Sequence, residues 1–474
     1  MKDLERFFKP RTVAIVGATP KEGKVGRVLA ENFIKRFRGR FYFINPNYSE
    51  ILGYRSYKSI KEIGEEIDLL IVAVPAPSVP SVLEEAGEAG IKAAIIISGG
   101  FRETGTEEGV ALENRLSEII RKYGIRVIGP NCIGIFDNWS GVDTFFLPDE
   151  KMKRPPKGYI SIISQSGAFA SALLDWMAYR GIGVARAISY GNKIDVDDVD
   201  LLEFLGEDEY TRVIFIYVEG LKEGRGKLFL EKAREVLKRK PIVIYKAGKT
   251  VRGGLAASSH TAALAGNYQL YEACIKQAGL IEARSFDEIM DLTKILLTQP
   301  LMKGKRVYVV TDAGGVGVML TDALSLEGFD IPRTPMDLRE TLRKILPPHC
   351  IVENPIDLTG DTDDERFIKV IEQLLPREDV DAIVVVALPQ VPGIKGSLVK
   401  YLAEAKKHGK PIVSVIIGGA EAEKFKNELD NNGITVFESP ERLARALKGL
   451  YTYSVVRGCV RKGDLGIESQ RNYP

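Results

Sequence analysis

Histidine is the scarcest reactive side chain in this sequence: 474 residues contain three. Cysteine is nearly as rare, and Cys132, Cys274, Cys350 and Cys459 are scattered without any C-x-x-C spacing, which argues against a disulfide framework and against a zinc site. No metal site is expected within the chain. No apolar run approaches the roughly 18 residues that span a bilayer, and the opening Met1-Lys-Asp-Leu-Glu-Arg6 is charged, so neither a membrane segment nor a secretory leader is expected. An excess of either charge is also missing. Lys+Arg 66 against Asp+Glu 64 leaves +2, which gives no electrostatic footprint for nucleic acid or an anionic membrane. A cytoplasmic protein with reduced thiols fits these absences.

At roughly 150 residues per domain the length predicts three domains. The first, residues 1–135, reads as a doubly wound parallel sheet, with apolar strands at Thr12–Val16, Phe41–Ile44, Asp68–Val74, Ala93–Ile97 and Arg126–Ile128 separated by helical patterns. Ligands of such sheets bind at the carboxyl ends of the strands. Those ends carry Gly17-Ala18-Thr19, Asn45-Pro46, Pro75-Ala76-Pro77, Ser98-Gly99-Gly100 and Gly129-Pro130-Asn131. The dinucleotide fingerprint is missing: Gly17, Gly23 and Gly26 do not make G-x-G-x-x-G, and Asn45 stands where a ribose-binding acid is expected. This disfavours an NAD-dependent dehydrogenase. A helix start behind a glycine turn still binds phosphate through its free N–H groups, so another adenine nucleotide with a pyrophosphate, coenzyme A among them, stays open.

The remainder reads as a diverged repeat. Gly158-Tyr-Ile-Ser-Ile-Ile-Ser-Gln-Ser-Gly167 opens one copy and Lys240-Pro-Ile-Val243 closes its sheet; Lys305-Arg-Val-Tyr-Val-Val-Thr-Asp-Ala-Gly-Gly315 and Lys410-Pro-Ile-Val413 do the same in the other. Two flavodoxin-like domains are predicted, 157–297 and 303–455, with linkers near 149–156 and 298–304 and a charged tail over 456–474.

Only the first copy carries chemistry. Glu219 ends its middle strand in Tyr217-Val-Glu-Gly220, and His260 follows its last strand among the small residues Ala256–Gly266, predicted as a loop; the second copy has Leu388-Pro389 and Gly418-Gly-Ala-Glu421 instead. His349 and His408 look like surface residues. Imidazole, with an ordinary pKa of about 6.5, offers a free lone pair for covalent catalysis at neutral pH. A carboxylate on its other nitrogen would orient it and stabilise the cation formed, which is the role predicted for Glu219. Ser166 and Gly167 begin a helix whose free amides would hold a phosphoryl group.

With these residues in view the chain resembles the alpha subunit of an ADP-forming acyl-CoA synthetase, a relative of succinyl-CoA synthetase. The resemblance runs over nearly the whole length, through Gly17-Ala-Thr19 with Gly23 to Gly26, Asn45-Pro46, Val74-Pro75-Ala76, Ile97-Ser-Gly-Gly-Phe101, Gly129-Pro-Asn-Cys-Ile-Gly134, Ser164-Gln-Ser-Gly167, Tyr217-Val-Glu-Gly220 and Ser259-His-Thr261. It implies a Rossmann-like CoA-binding domain ahead of the two flavodoxin-like domains. It also implies CoA contacts at Gly17, Ala18, Thr19, Lys24, Asn45, Pro46, Val74, Pro75, Ala76, Ser98 and Gly99. Asn131 and Cys132 would lie near the thioester, and Ser164, Ser166 and Gly167 would bind phosphate. His260 would be phosphorylated transiently, with Glu219 orienting it. A separate ATP-grasp beta subunit would hold magnesium and ADP or ATP, in an alpha2beta2 heterotetramer. Unlike succinyl-CoA synthetase, this chain has Ser98-Gly-Gly100 without an acidic residue before the glycine. A non-catalytic CoA-sensing module is the alternative reading of the same residues.

Overall fold

Strands buried at every position need cover on both faces, and three mainly parallel sheets dressed with helices supply it. The fold comes from a computed structural model that describes residues 2–261 and 268–461. It divides into two compact units, one through Ala278 and one from Gly279.

In the first unit, α1 (Lys2–Phe8) precedes β1 (Thr12–Val16), α2 (Val25–Arg36), β2 (Arg40–Ile44), the short strands β3 (Glu50–Ile51) and β4 (Tyr54–Tyr57), β5 (Leu69–Val72), α3 (Val79–Glu88), β6 (Ala93–Ile96), α4 (Glu107–Tyr123) and β7 (Arg126–Ile128). Their sheet runs β3-β4-β2-β1-β5-β6-β7, parallel except where β3 turns back on β4. Helices α3 and α4 bury Val79, Leu83, Leu116 and Ile119 against one face of it.

A second sheet in the same unit is built from β8 (Gly134–Asp137), β9 (Lys157–Ser164), α5 (Gly167–Tyr179), β10 (Val184–Ser189), α6 (Asp198–Glu207), β11 (Val213–Val218), α7 (Gly226–Leu237) and β12 (Ile242–Lys246), with α8 (Val251–Thr261) and α9 (Tyr268–Ala278) after it. Its strands lie in the order β12-β11-β9-β10-β8. β8 pairs antiparallel with β10, so the boundary expected at 135 falls inside a strand of the second sheet.

Strand β10 carries Arg186, which is fully buried because Asp208 holds its guanidinium at 3.0 and 2.9 Å and Asp137 of β8 holds the remaining corner. Past β10 the chain lies along β7. The N–H groups of Asn192, Ile194 and Val196 donate to the carbonyls of Pro130, Gly129 and Val127 at 3.0, 3.1 and 3.1 Å. Gly191 starts this strip at φ +52, with no room for a Cβ: one would stand 2.2 Å from the Asn131 carbonyl oxygen.

The second unit contains β13 (Ile281–Glu282), α10 (Phe286–Thr298), β14 (Val307–Thr311), α11 (Gly314–Leu326), α12 (Met336–Ile345), β15 (Ile356–Asp357), α13 (Asp364–Leu374), β16 (Ala382–Val386), α14 (Gly396–Ala405), β17 (Ile412–Val415), α15 (Ala420–Asn431), β18 (Thr435–Phe437) and α16 (Pro440–Val456). The sheet order β15-β14-β16-β17-β18 is the flavodoxin order 2-1-3-4-5. The first unit has the same 2-1-3-4 arrangement in β10-β9-β11-β12, as the sequence repeat predicts. Alternate residues of β14 feed opposite cores, Tyr308 and Val310 on one face and Val307 and Val309 on the other. Helix α10 packs on α16, where Arg442 grips Asp291 at 2.7 and 2.8 Å.

Two further expectations need correction. His260 was expected on a loop, but it lies in the last turn of α8; Leu255-Ala256-Ala257 are strong helix formers, and Thr250 Oγ1 caps the start by accepting the Gly253 N–H at 3.0 Å. The remainder of the small-residue run, 262–266, lies outside the described residues. The tail was expected from 456, yet Arg461 is anchored, its backbone N–H on the Lys303 carbonyl at 3.0 Å and its guanidinium on Asp381 at 2.8 Å. A buried carboxylate at the foot of β16 draws the cation in. Among the described residues no helix is long and apolar enough to cross a membrane.

Candidate functional site at the strand ends of the first unit

The glycine turn after β1 is fixed by what presses on it. A Cβ on Gly17, at φ +96, would stand 2.3 Å from the Ala73 carbonyl oxygen, and one on Gly26 would stand 2.0 Å from the Gly17 carbonyl oxygen. Helix α2 can therefore seat directly on the turn. Exposed Lys24 is its N-cap; no side chain caps it and its first turn holds no acidic residue. That open, cation-flanked helix start suits a phosphate. Asn45, in the position of a ribose-binding acid, instead donates to the Ala18 carbonyl at 2.8 Å and pins the turn. Ser98 ties two more strand ends together, its Oγ donating to the Val74 carbonyl at 2.5 Å.

Thr19, Pro46, Pro75 and Gly99 are partly or fully accessible along this rim, and Ala76 is buried behind it. Asn131, at φ +57 and exposed, brings its Oδ1 within 3.1 Å of where a Gly99 Cβ would be. A side chain on Gly99 would press on Asn131 and on Glu103 Oε1, 3.3 Å away. Cys132 turns the other way. Its thiol is buried and donates to the Ile96 carbonyl at 3.3 Å, and burial pushes its pKa up to about 12. It supports the Asn131 turn from beneath and is no nucleophile.

In the second sheet, Ser164 Oγ donates to the Ser166 carbonyl at 2.7 Å, and Ser166 Oγ caps α5 by accepting the Phe169 N–H at 3.3 Å. Gly167 opens the helix, with Ile133 and Ser189 the nearest side chains to its missing Cβ. Gln165, which sequence reasoning passed over, accepts the N–H groups of Glu219 and Gly220 on Oε1 at 3.0 and 3.3 Å, locking the end of β11 to the end of β9. Glu219 is buried. Its Oε1 takes a 3.3 Å bond from the Tyr217 hydroxyl, and its Oε2 has no hydrogen-bond partner among the described residues. Burial and the Glu219 charge both raise the Tyr217 hydroxyl pKa. Lys246 closes the floor by donating to the Glu219 carbonyl at 2.8 Å; burial lowers its pKa against the pull of Glu219.

The strip along β7 joins the two halves of this site. The Asn192 amide donates to Glu103 at 2.6 Å and Glu113 at 2.9 Å, and its oxygen accepts from Asn131 at 3.4 Å. Burial raises the Glu103 pKa, but Asn192 and the N–H groups of Gly100 and Phe101 outweigh it and hold the carboxyl below its usual value. Next to it, buried Lys193 donates to Asp198 at 3.0 Å and to the Gly220 carbonyl at 2.5 Å. One short segment thus touches both the Gly99–Asn131 rim and the Glu219 strand end. Its sequence signal was Ser189-Tyr-Gly-Asn-Lys193, a strand end with Gly and Asn like those singled out elsewhere. Asn192→Ala leaves two carboxylates facing each other without their shared donor, so it should lower thermal stability by about 2–3 kcal/mol, read as a fall of several degrees in the calorimetric midpoint.

The expected site residues of the first sheet follow its strand ends, or cap α2 in the case of Lys24; Ala18, Ala76 and Cys132 are buried there. Ser164, Ser166, Gly167 and Glu219 meet at neighbouring strand ends, while the His260 side chain lies outside the described residues.

Residues 11–137 match the CoA binding domain family, 157–296 the succinyl-CoA ligase like flavodoxin domain, and 307–461 the ligase-CoA domain. Acetate–CoA ligase (ADP-forming) I subunit alpha of Pyrococcus furiosus is 39% identical over 95% of this chain and 98% of its own length. Acetate–CoA ligase (ADP-forming) I of Archaeoglobus fulgidus is 38% identical over 99% of this chain but only 66% of its own, so this chain spans about two thirds of that longer relative. Among solved structures, the dinucleotide-forming acetyl-coenzyme A synthetase 1 of Ca. Korarchaeum cryptofilum, in complex with phosphate and ADP, matches with a TM-score of 0.90 at 36% identity, covering 97% of this chain and 98% of that one. Likeness at this level over nearly the full length shows the family: the chain belongs to the ADP-forming acetate–CoA ligase family, over the part that forms a separate alpha subunit in Pyrococcus furiosus.

Proposed function

We propose that the chain is the catalytic alpha subunit of an ADP-forming acyl-CoA synthetase, converting acyl-CoA, phosphate and ADP to carboxylic acid, CoA and ATP. A phosphate oxygen attacks the thioester carbonyl carbon, the C–S bond breaks, and CoA leaves as the thiol with an acyl phosphate behind. A nitrogen of His260 then attacks phosphorus, the P–O bond to the acyl group breaks, and the carboxylate leaves. ADP finally takes the phosphoryl group from His260. The rim from Gly17 to Asn131 would seat CoA, with its pyrophosphate at the start of α2. The start of α5 would hold the phosphoryl group.

Glu219 is the observation that carries this reading. A carboxylate oxygen buried without a partner is costly, and an imidazole N–H is the partner that makes it useful, since the negative charge stabilises the imidazolium formed on attack. The last step needs ADP and magnesium, which we assign to an ATP-grasp beta subunit in an alpha2beta2 assembly; the relatives named as alpha subunits support a separate partner. Four free cysteines fit the reducing cytoplasm.

The test is incubation of the purified chain with acetyl-CoA and radiolabelled phosphate. Acid-labile, alkali-stable label on the wild type and none on His260→Ala is the expected result. A wild type that stays unlabelled with a panel of acyl-CoAs, and also with the beta subunit and ATP, would leave only CoA sensing.

A further inference from the structure

Strand register alone lays the two flavodoxin-like halves on each other. Ser189 ends β10 and pairs with Ser164 of β9; Asp357 ends β15 and pairs with Thr311 of β14. Three residues after Ser164 and Thr311, Gly167 and Gly314 open α5 and α11. Ser164 and Thr311 even act alike, each hydroxyl donating to the carbonyl two residues on, at 2.7 and 3.1 Å. Ser189 and Asp357 are therefore the same position in the two copies.

Both face the first residue of the helix. A Cβ on Gly314 would stand 2.6 Å from Asp357 Oδ2, and one on Gly167 would stand 3.6 Å from Ser189 Oγ. The second copy thus sets its own carboxylate beside the helix start, where an anion belongs. The first copy sets a hydroxyl there, on a side chain that is fully buried and has no hydrogen-bond partner among the described residues. A buried hydroxyl without a partner is a standing cost to the fold. A ligand at the start of α5 would remove it.

We propose that Ser189 is a phosphoryl-binding residue, its Oγ–H donating to a phosphate oxygen held at the start of α5 with Ser166 and Gly167. For the identity of its ligand the inference rests on the function proposed above. The neutral hydroxyl admits the anion that a carboxylate in the same place would repel.

The experiment uses the full chain, wild type and Ser189→Ala and Ser189→Asp variants, with labelling from acetyl-CoA measured against phosphate concentration and thermal midpoints recorded with and without inorganic phosphate. Losing one hydrogen bond to a charged group should raise the phosphate KM of Ser189→Ala about tenfold or more, with the acetyl-CoA KM unchanged. Its midpoint without phosphate should equal or exceed the wild type's, because an unpartnered hydroxyl is gone. Ser189→Asp should take no label while acetyl-CoA still raises its midpoint. An unchanged phosphate KM in Ser189→Ala, or full labelling of Ser189→Asp, overturns the proposal. If the wild type itself takes no label, the function proposed above is what fails. The phosphate-induced midpoint shift then decides for Ser189: present in the wild type and smaller in Ser189→Ala, it supports the site; equal in both or absent, it sinks it.

Discussion

Glu219→Gln should slow phosphoryl transfer to His260 by about 10²–10⁴-fold, the range over which a positioned charge or proton acceptor contributes to such a step. The change leaves the surroundings in place. The Gln165 contacts are made by the backbone N–H groups of Glu219 and Gly220, and the Lys246 contact is to the Glu219 carbonyl. An amide oxygen can still accept from the Tyr217 hydroxyl. What disappears is the negative charge and the free acceptor at Oε2. Single-turnover labelling with radiolabelled phosphate measures the effect, and the thermal midpoint serves as the control for folding. A labelling rate within a factor of three of wild type would reduce Glu219 to a structural carboxylate and move the imidazole's partner elsewhere.

The second large effect is expected at Gly191. An added methyl would meet the carbonyl oxygens of Asn131 and Pro130 at 2.2 and 2.3 Å, both backbone atoms, and the residue sits at φ +52. Neither atom can swing aside, so Gly191→Ala must lift the strip from β7 and give up the bonds from Asn192, Ile194 and Val196. Backbone strain and overpacking together cost about 3 kcal/mol or more, a fall of roughly 6–12 °C in the midpoint for a unit of this size. Asn131 should be displaced with it, weakening acetyl-CoA binding in a direct titration. Gly224→Ala is the matched control, since it too has positive φ (+77) but open space around the missing Cβ. Equal losses in the two variants would assign the whole effect to φ and none to the contact.

Sequence exposed the parts of this protein whose residues act through their own strand. Val13–Val16, Ala93–Ile96 and Ala382–Val386 are continuous apolar runs, and each lies in a strand buried at every position. The glycine turns and Glu219 stand at strand ends, and strand ends gather at one edge by the geometry of the fold. Hidden were the elements whose character depends on a distant partner. β10 has Arg186 in its middle, which spoils the apolar pattern, and Asp137 and Asp208, distant in sequence, make its burial tolerable together with the rings of Phe8, Phe204 and Tyr210. Gln165 looks like a polar turn residue until the Glu219 strand is set beside it. Asn192 acquires meaning only from Glu103 and Glu113, 89 and 79 positions earlier. His260 went to helix rather than loop because small residues serve either state and the alanines decide.

The strip over β7 also sets how the first unit comes apart. Arg126–Ile128 would be the bare margin of the first sheet if residues 192–196 were removed, and a bare margin invites pairing with another chain. A fragment ending near residue 135 would carry the whole glycine rim yet expose that margin, and would tend to self-associate. The piece that looks self-sufficient in sequence is therefore not the cooperative unit. The two sheets should melt in one transition, so that the glycine rim and the Glu219 strand end are lost together or kept together.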